Sequence, residues 1–331
     1  MIKFIIKLVL VVVVISLIFS FAVSWFSDVF GSNKKQNSDV ADVTTSKETD
    51  VFSVLVVGRD KVSSLADVIM LVSFDRSSDR VCVLQIPRDT YAEYGNSNYY
   101  KINGAFKTLG ADGMCDFFEE SLGIRLNGYI SLDLEGFRKA VDAVGGVEIT
   151  VENDLKYSDP AQGLYINLKK GKQTLNGSQA EMLVRYRSGY ARGDLDRLDT
   201  QKKFLFALFC GMKEKVNIFN AYNVANGILP YIETDINVPE LVSLAVSGMS
   251  VDDKNVCFVT LPGEDAISSV SGGSFYVMSA KGTKDILSEY FCVTGKGFDK
   301  RGRFLHTGIQ KFKEIYNSDK EKNVFFINDL K

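Results

Sequence analysis

The sequence predicts an α/β fold in which a mixed central β-sheet is flanked by helices, preceded by one transmembrane helix. Three observations predict it. Apolar runs rich in β-branched residues, typical of buried strands, recur along the chain. Segments with helical periodicity alternate with those runs, which indicates layers of helix and sheet. A long apolar stretch opens the chain, whose 331 residues are 46% hydrophobic and 24% charged, as in folded proteins.

The opening stretch, residues 8–26, has serine as its only polar residue type. As a helix it would span roughly 28 Å, which matches the hydrocarbon core of a bilayer. It is longer than the apolar part of a cleaved signal peptide, about 7–15 residues, so we expect an uncleaved anchor. Cleavage after Ser24 is the alternative. Because Lys3 and Lys7 precede the stretch, the positive-inside rule places the amino terminus in the cytoplasm and the remainder outside.

Composition divides the chain into four segments. Residues 1–26 form the cytoplasmic tip and the transmembrane anchor. Residues 27–50 are polar and show no periodicity, which predicts a flexible linker. Residues 51–292 form the extracytoplasmic folded domain, and residues 293–331 form a carboxy-terminal extension.

The folded domain opens with three apolar runs at residues 51–58, 68–75 and 81–87. Each is apolar on both faces, so we expect central strands covered by helices. The short "RSSD" turn between the second and third runs predicts a hairpin.

Helical patterns follow at residues 111–122 and 133–144, with the strand "YISLDL" between them and the strand "VEITV" after a "GG" helix stop. Further helices are predicted near residues 179–186, 194–215, 220–231 and 239–247, and late strands at "VCFVTLPG" and "SFYVMSA".

Composition also excludes several kinds of chemistry. With a net charge of −2, the chain is not expected to bind nucleic acid. The single histidine, His306, excludes multi-histidine zinc sites, so any metal is expected on carboxylates. No two cysteines have CxxC spacing. Cys257 and Cys292 are expected to be buried free thiols, with pairing outside the cell as the alternative, and the other cysteines to be small core residues: Cys82, Cys115 and Cys210.

The predicted helix at residues 194–215 carries polar side chains on its buried face. At 100° per residue, Arg197 and Gln201 fall within an apolar arc, whereas Asp199, Lys202 and Lys203 fall on the other side. The apolar arc comprises Leu198, Phe204, Leu205, Leu208, Phe209 and Met212. A buried guanidinium needs a partner, which is either a protein carboxylate or an anion held in a cavity.

Two further arginines, Arg185 and Arg187, lie just before this helix in "VRYR". An internal ion pair between Arg197 and Asp194 is one explanation of the buried charge. Three arginines with one evident carboxylate instead favour an external anion, and phosphate matches the arginine fork best.

A second group of polar residues follows the predicted strands. Asp60 ends the first strand, Asp67 precedes the second, and Arg88 follows the third. Asp60 and Asp67 are therefore candidates for a shared hard divalent cation, the alternative being that each caps a loop. Lys101, in "YKING", is a candidate for the same crevice.

Together these segments resemble the LytR-CpsA-Psr family. The matching motifs are "VLVVGRD", "DVIMLVSFD", "LQIPRDTY", "KINGAF", "DLEGFRKAVDAVGGVEITV", "LKKGKQTLNGSQA", "VRYR" and "GDLDRLDTQKKFL". They cover residues 51–215 densely, and "YIETDINVPEL" and "LPGE" extend the match toward residue 292.

The resemblance implies a single-pass membrane enzyme with its catalytic domain at residues 51–292. Such enzymes transfer a glycopolymer, such as teichoic acid or capsular polysaccharide, from a polyprenyl-pyrophosphate carrier to peptidoglycan. The product is a phosphodiester, usually on the muramic acid 6-hydroxyl, and an apolar tunnel holds the prenyl chain. Two alternatives stay open, a non-catalytic envelope regulator that binds polyprenyl phosphates and a polyprenyl-pyrophosphate pyrophosphatase.

By motif, the resemblance assigns Mg²⁺, with Mn²⁺ as an alternative, to Asp60 and Asp67. The implied catalytic residues are Arg88, Arg185, Arg187, Arg197 and Asp194, and the implied substrate-binding residues are Arg59, Lys101 and Gln201. The chain departs from the common pattern around Asp67, where Leu65, Ala66 and Val68 replace an arginine and a hydroxyl residue. Arg59 and Lys61 are the expected substitutes.

Overall fold

A computed structural model of the chain describes residues 51–60, 63–95, 100–160, 163–187, 194–216, 224, 227–269, 271–293, 297–305, 310–319 and 324–326. The predicted anchor and linker, half of the helix predicted at 220–231, and His306 lie outside the described residues. Within the described part of the chain, no helix has the length and apolar character needed to cross a bilayer.

The strands are β1 (Val51–Arg59), β2 (Ala66–Asp75), β3 (Arg80–Ile86), β4 (Tyr129–Asp133), β5 (Val147–Val151), β6 (Leu155–Asp159), β7 (Leu164–Leu168), β8 (Gly171–Leu175), β9 (Ile232–Thr234), β10 (Val256–Thr260), β11 (Gly263–Ile267), β12 (Ser274–Met278) and β13 (Val324–Phe326). The α-helices are α1 (Ala105–Leu122), α2 (Leu134–Ala143), α3 (Gly177–Arg185), α4 (Asp194–Lys215), α5 (Val238–Ser250), α6 (Ala280–Tyr290) and α7 (Gln310–Tyr316).

The central sheet has seven strands in the order β13-β10-β3-β2-β1-β4-β9. Strands β1, β2 and β3 form an antiparallel meander, whereas β4 runs parallel to β1 and β10 runs parallel to β3. The predicted mixed sheet flanked by helices is confirmed, as is the hairpin between β2 and β3.

Two predicted strands lie outside the central sheet. The "VEITV" strand, β5, pairs with β8, and the "SFYVMSA" strand, β12, pairs with β11, each in a separate two-stranded sheet. In β5 only the two end residues are fully buried. A strand covered on one face is typical of a peripheral sheet.

Helix α1 begins six residues earlier than predicted. It is broken at Gly110, whose φ of 73° and ψ of −175° are not helical. The glycine adopts this conformation without strain because it has no Cβ, so the first turns of α1 lie at an angle to the predicted segment.

The two faces of the sheet have different roles. Alternate residues of β1 and β2, including Leu55 and Leu71, pack in the main core with α1 and α6. The residues between them, such as Val56 and Met70, point to the opposite face beneath α2 and α4. That second face carries the candidate site.

The cysteines of the described residues are all free. Cys257 is buried in β10, where it is paired in register with Cys82 of β3. Cys292 is exposed, so the prediction that it is buried is wrong, and so is the burial expected for Cys115 and Cys210, which are only partly buried.

Candidate active site

A cavity of about 230 Å³ separates the second face of the sheet from α2 and α4. Its walls are almost entirely apolar: Val56, Val68, Met70, Leu132, Leu134, Phe137, Ala140, Val184, Phe204, Leu205 and Leu208. Its polar lining residues are Arg59, Asp67, Asp133 and Gln201. The resemblance implies an apolar tunnel without assigning its residues, so a tunnel role for this wall stays a prediction.

The polar lining residues that come from the sheet lie at one end of three neighbouring strands. Arg59 ends β1, where it is paired in register with Ala66 of β2 and with Asp133 of β4. Gly58 lines the cavity beside them, and a Cβ there would lie 3.0 Å from the Cβ of Val68. Glycine therefore allows β1 and β2 to approach without placing a side chain in the cavity mouth.

Arg59 is held by two partners distant in sequence. Its Nε donates to Ser131 Oγ at 3.1 Å, and its Nη2 donates to Glu233 Oε2 at 2.8 Å. Ser131 is fully buried, which fixes one side of the guanidinium. Sequence reasoning found Arg59 but missed both partners, which lie 72 and 174 residues away.

The two predicted metal-binding carboxylates lie on the same sheet edge. A register shift at Gly58 and Arg59 lets the loop after β1 turn back into β2, and the Asp60 amide donates to the Leu65 carbonyl. Asp60 Oδ2 accepts from Ser63 Oγ at 2.8 Å, and Asp67 Oδ1 accepts from Arg88 Nη1 at 2.8 Å. The ion pair with Asp67 holds Arg88 at this edge.

Lys101 is held close to Arg88 by contacts with the loop that follows β3. Its Nζ is 3.2 Å from Asp89 Oδ1, and the Asn103 amide donates to the Arg88 carbonyl at 3.1 Å. The strand-end residues therefore form one group, as their position after neighbouring strands predicts.

Gln201 joins the helical part of the site to the sheet. Its Nε2 donates to the Val184 carbonyl at 3.3 Å, and its Oε1 accepts from Gln85 Nε2 at 2.9 Å. Gln85 belongs to β3 and is 2% exposed. Sequence reasoning missed it, although a glutamine within the apolar run "VCVLQIP" is the signal that could have found it.

Arg185 ends α3 next to Val184 of the cavity wall. Its Nη1 is 2.8 Å from Glu181 Oε1, and Arg138 Nη1 of α2 is 2.5 Å from the other oxygen of the same carboxylate. Glu181 was not among the predicted site residues, although its spacing of four residues from Arg185 is typical of a helical ion pair.

The structure confirms part of the helical-wheel prediction for α4. Arg197 is 4% exposed and Gln201 is 7% exposed, so both lie on a buried face. Lys202 was predicted on the outer side, and this is wrong: it is 3% exposed, with its Nζ 2.8 Å from Asp199 Oδ1. Helix α4 is covered on more than one side, because its residues pack into two separate hydrophobic clusters.

For the two remaining predicted residues, Arg187 and Asp194, the structure gives a position relative to the helices. Arg187 is exposed just after α3, and Asp194 begins α4 with its side chain outside the described part of the chain. The roles assigned to all of these residues stay predictions.

Several buried polar atoms in this group make no hydrogen bond within the described residues. They include Gln85 Oε1, Arg88 Nε and Asn103 Oδ1. Buried polar atoms are usually hydrogen-bonded, so unsatisfied ones are candidates for contact with a ligand. An apolar cavity with Arg59 in its lining is suited to an amphiphile with an anionic head group.

Comparison with known proteins gives a consistent result. The profile of the LytR_cpsA_psr family matches residues 20–290. The polyisoprenyl-teichoic acid–peptidoglycan teichoic acid transferase TagU of Oceanobacillus iheyensis is 29% identical over 252 residues, which cover 73% of this chain and 76% of that protein.

Two solved structures are similar along most of the chain. Bacillus subtilis TagV is 27% identical with a TM-score of 0.63, over 75% of this chain and 99% of that chain. TagT bound to LIIa-WTA is 25% identical with a TM-score of 0.60, over 73% of this chain and 89% of that chain.

Proposed function

Because the chain belongs to the LytR-CpsA-Psr family, we propose that it transfers a glycopolymer from a polyprenyl-pyrophosphate carrier to peptidoglycan. The observation that carries this proposal is the apolar cavity of about 230 Å³ with Arg59, Asp67 and Gln201 in its lining. A prenyl carrier has a long apolar chain ending in an anionic diphosphate, so it needs an apolar wall and a cationic end together.

The prenyl chain is stabilised by burial against the aliphatic and aromatic wall, at about 25 cal/mol per Å² of apolar surface removed from water. Positively charged side chains near the cavity then bind the diphosphate. Arg88 and Arg185 are each held by a carboxylate, and Arg197 is held within the protein interior. Arginine forks bind phosphate oxygens bidentately, so preset arginines orient the head group as well as neutralising it. Arg187, Lys101 and Asp194 are proposed to complete the phosphate-binding group.

The reaction is a phosphoryl transfer. The acceptor hydroxyl oxygen, on the muramic acid of peptidoglycan, attacks the phosphorus that bears the polymer. The bond from that phosphorus to the bridging oxygen breaks, so polyprenyl monophosphate leaves and the hydroxyl proton is released. The product is a phosphodiester between polymer and peptidoglycan. Such transfers depend mainly on positioning and charge neutralisation, which arginines supply without a histidine.

Asp60 and Asp67 are the residues proposed to hold Mg²⁺, with Mn²⁺ as an alternative. Asp60 directly follows β1 and Asp67 lies at the start of β2, so both residues lie at the same end of these two strands. Hard oxygen donors are what these ions prefer. Within the described residues no group of three or more His, Cys, Asp or Glu forms a complete ligand set. Two carboxylates fit Mg²⁺ as partial ligands, because the ion usually takes its other ligands from water and substrate phosphates. When bound, it would neutralise charge on the leaving phosphate.

The proposed location follows from the apolar stretch at residues 8–26. We place the amino terminus in the cytoplasm and the folded domain outside a single membrane span. An anchored domain lies at the surface where a lipid-linked donor is embedded, so the carrier can enter the cavity without leaving the bilayer entirely.

The test is incubation of the full chain with a lipid-linked glycopolymer and peptidoglycan oligomers, with the products separated by mass. Polymer linked covalently to peptidoglycan is the expected result. Free phosphorylated polymer would instead identify a pyrophosphatase, and bound but unchanged lipid would identify a non-catalytic regulator.

A further inference from the structure

The carboxylate of Glu181 binds two guanidinium groups that come from two helices. Oε1 contacts Arg185 Nη1 at 2.8 Å within α3, and Oε2 contacts Arg138 Nη1 at 2.5 Å across the contact between α3 and α2. Glu181 is 9% exposed, so its carboxylate is largely screened from water. Each oxygen therefore holds a different arginine.

The charge of this cluster is what distinguishes it from an ordinary ion pair. Glu181 with Arg185 alone would sum to zero, and a neutral pair attracts phosphate weakly. Arg138 adds a second positive charge, so the three residues together keep a charge of one. The carboxylate can then fix Arg185 in place while the cluster remains attractive to an anion.

Arg185 needs such a fixed partner because of its position. It is the last residue of α3, and the backbone leaves the helix at Tyr186, whose ψ is 135°. Long side chains at helix ends have many accessible rotamers. Arg138, by contrast, lies within α2, whose residues Leu134, Phe137 and Ala140 line the cavity. The ion pair thus ties Arg185 to the helix that forms the cavity wall.

We propose that Glu181 and Arg138 are positioning residues for Arg185: Glu181 sets its geometry, and Arg138 preserves its positive charge. The proposal deepens the function proposed above and rests on it. Neither residue is assigned a contact with the substrate.

Three variants separate geometry from charge by their effects on KM for the lipid-linked donor and on kcat. Glu181→Gln raises the cluster charge to two, so KM should fall or stay constant while kcat falls about tenfold. Arg138→Gln lowers the charge to zero, so KM should rise on the order of tenfold with a smaller change in kcat. The double variant restores a charge of one without the carboxylate, so KM should return toward the native value while kcat stays low.

The control is Glu148→Gln, which removes the partner of Lys172 in an exposed ion pair of 2.8 Å whose residues do not line the cavity. It should change neither parameter. Thermal unfolding of every variant measures the folded fraction. Equal KM in all variants, or kcat losses that follow only the folded fraction, would overturn the proposal.

Calorimetric titration of the same variants with polyprenyl pyrophosphate separates this proposal from the proposed function. The expected affinity order is Glu181→Gln strongest, native and double variant intermediate, Arg138→Gln weakest. If the affinities follow that order but the native protein shows no transfer activity, the transferase function is overturned and the charge role of the cluster is supported. Affinities independent of cluster charge would overturn the charge role even where transfer is normal.

Discussion

Narrowing the cavity should weaken binding of a long prenyl chain and leave binding of the diphosphate unchanged. Ala140 of α2 lines the cavity, and Ala140→Leu adds three carbon atoms to its wall. If each carbon occupies roughly the 30 Å³ of a water molecule, the substitution takes about 90 Å³. The native cavity holds only about 230 Å³, so a substantial part of the space for the lipid is lost.

The expected magnitude follows from the apolar burial that is lost. Three displaced methylene-sized groups of the lipid, at about 0.8 kcal/mol each, amount to about 2.4 kcal/mol. This corresponds to roughly 50-fold weaker binding. Calorimetry with polyprenyl pyrophosphate measures the loss, and titration with inorganic pyrophosphate measures the head-group contribution, which should not change.

The matched control is Lys139→Leu, which places a leucine at an exposed position of the same helix outside the cavity. Both variants should unfold near the native temperature. Native-like lipid affinity in a folded Ala140→Leu protein would refute the assignment of this cavity to the prenyl chain.

Other perturbations address the head group, the metal, the thiols and the topology. Asp67→Asn should lower transfer at least tenfold, and a chelator should do the same until Mg²⁺ is added back. The unfolding temperature should change little, because the ion pair between Asp67 and Arg88 is half exposed and contributes less than about 1 kcal/mol. Undiminished transfer in excess chelator would exclude the metal. Arg197→Lys keeps the charge but loses the fork, so transfer should fall at least tenfold, as with Arg197→Ala; full activity of a folded alanine variant would make Arg197 purely structural. Iodoacetamide at pH 8 should modify the exposed Cys292 before Cys115, read by mass spectrometry, because burial raises the pKa of the Cys115 thiol to about 12 and keeps it protonated. Desolvation also raises the pKa of the Cys292 thiol above its usual value, so its modification should accelerate as the pH rises. Equal labelling of both thiols would contradict this. Protease added to intact, wall-stripped cells should remove the folded domain and leave a small membrane fragment, whereas release of the whole domain into the medium would contradict the anchor.

Local sequence pattern was sufficient for some of the elements, and it named candidate site residues whose roles stay predictions. The elements that it missed are β6, β7, β8, β9, β11, β13, α6 and α7. Strand alternation and helical periodicity depend on neighbours a few residues apart, so β1, β2, β3, α2 and α4 could be predicted closely. The same periodicity placed Arg197 on the buried face of α4. The predicted strand ends supplied Asp60, Asp67 and Arg88 as one group, and motif order supplied the family and with it the candidate role of Arg59.

Only the tertiary structure decided which side chains hold those residues in place. Arg59 meets Glu233, and Gln201 meets Gln85, across separations of 174 and 116 residues. No local pattern encodes such pairs, because they form only when the sheet order brings distant segments together. The burial of Lys202 has the same cause: a helical wheel assumes one covered face, whereas α4 packs into two clusters.

The cavity forms only when distant segments of the chain pack together. Its wall takes residues from β1, β2, β4, α2, α3 and α4, and the apolar residues among them are not distinctive in sequence. Apolar residues in a strand predict burial, but the sequence cannot say whether a helix packs against them or leaves a space. Here α2 and α4 leave that space over one face of the sheet, while α1 and α6 fill the other face, and this difference in packing decides where the cavity lies.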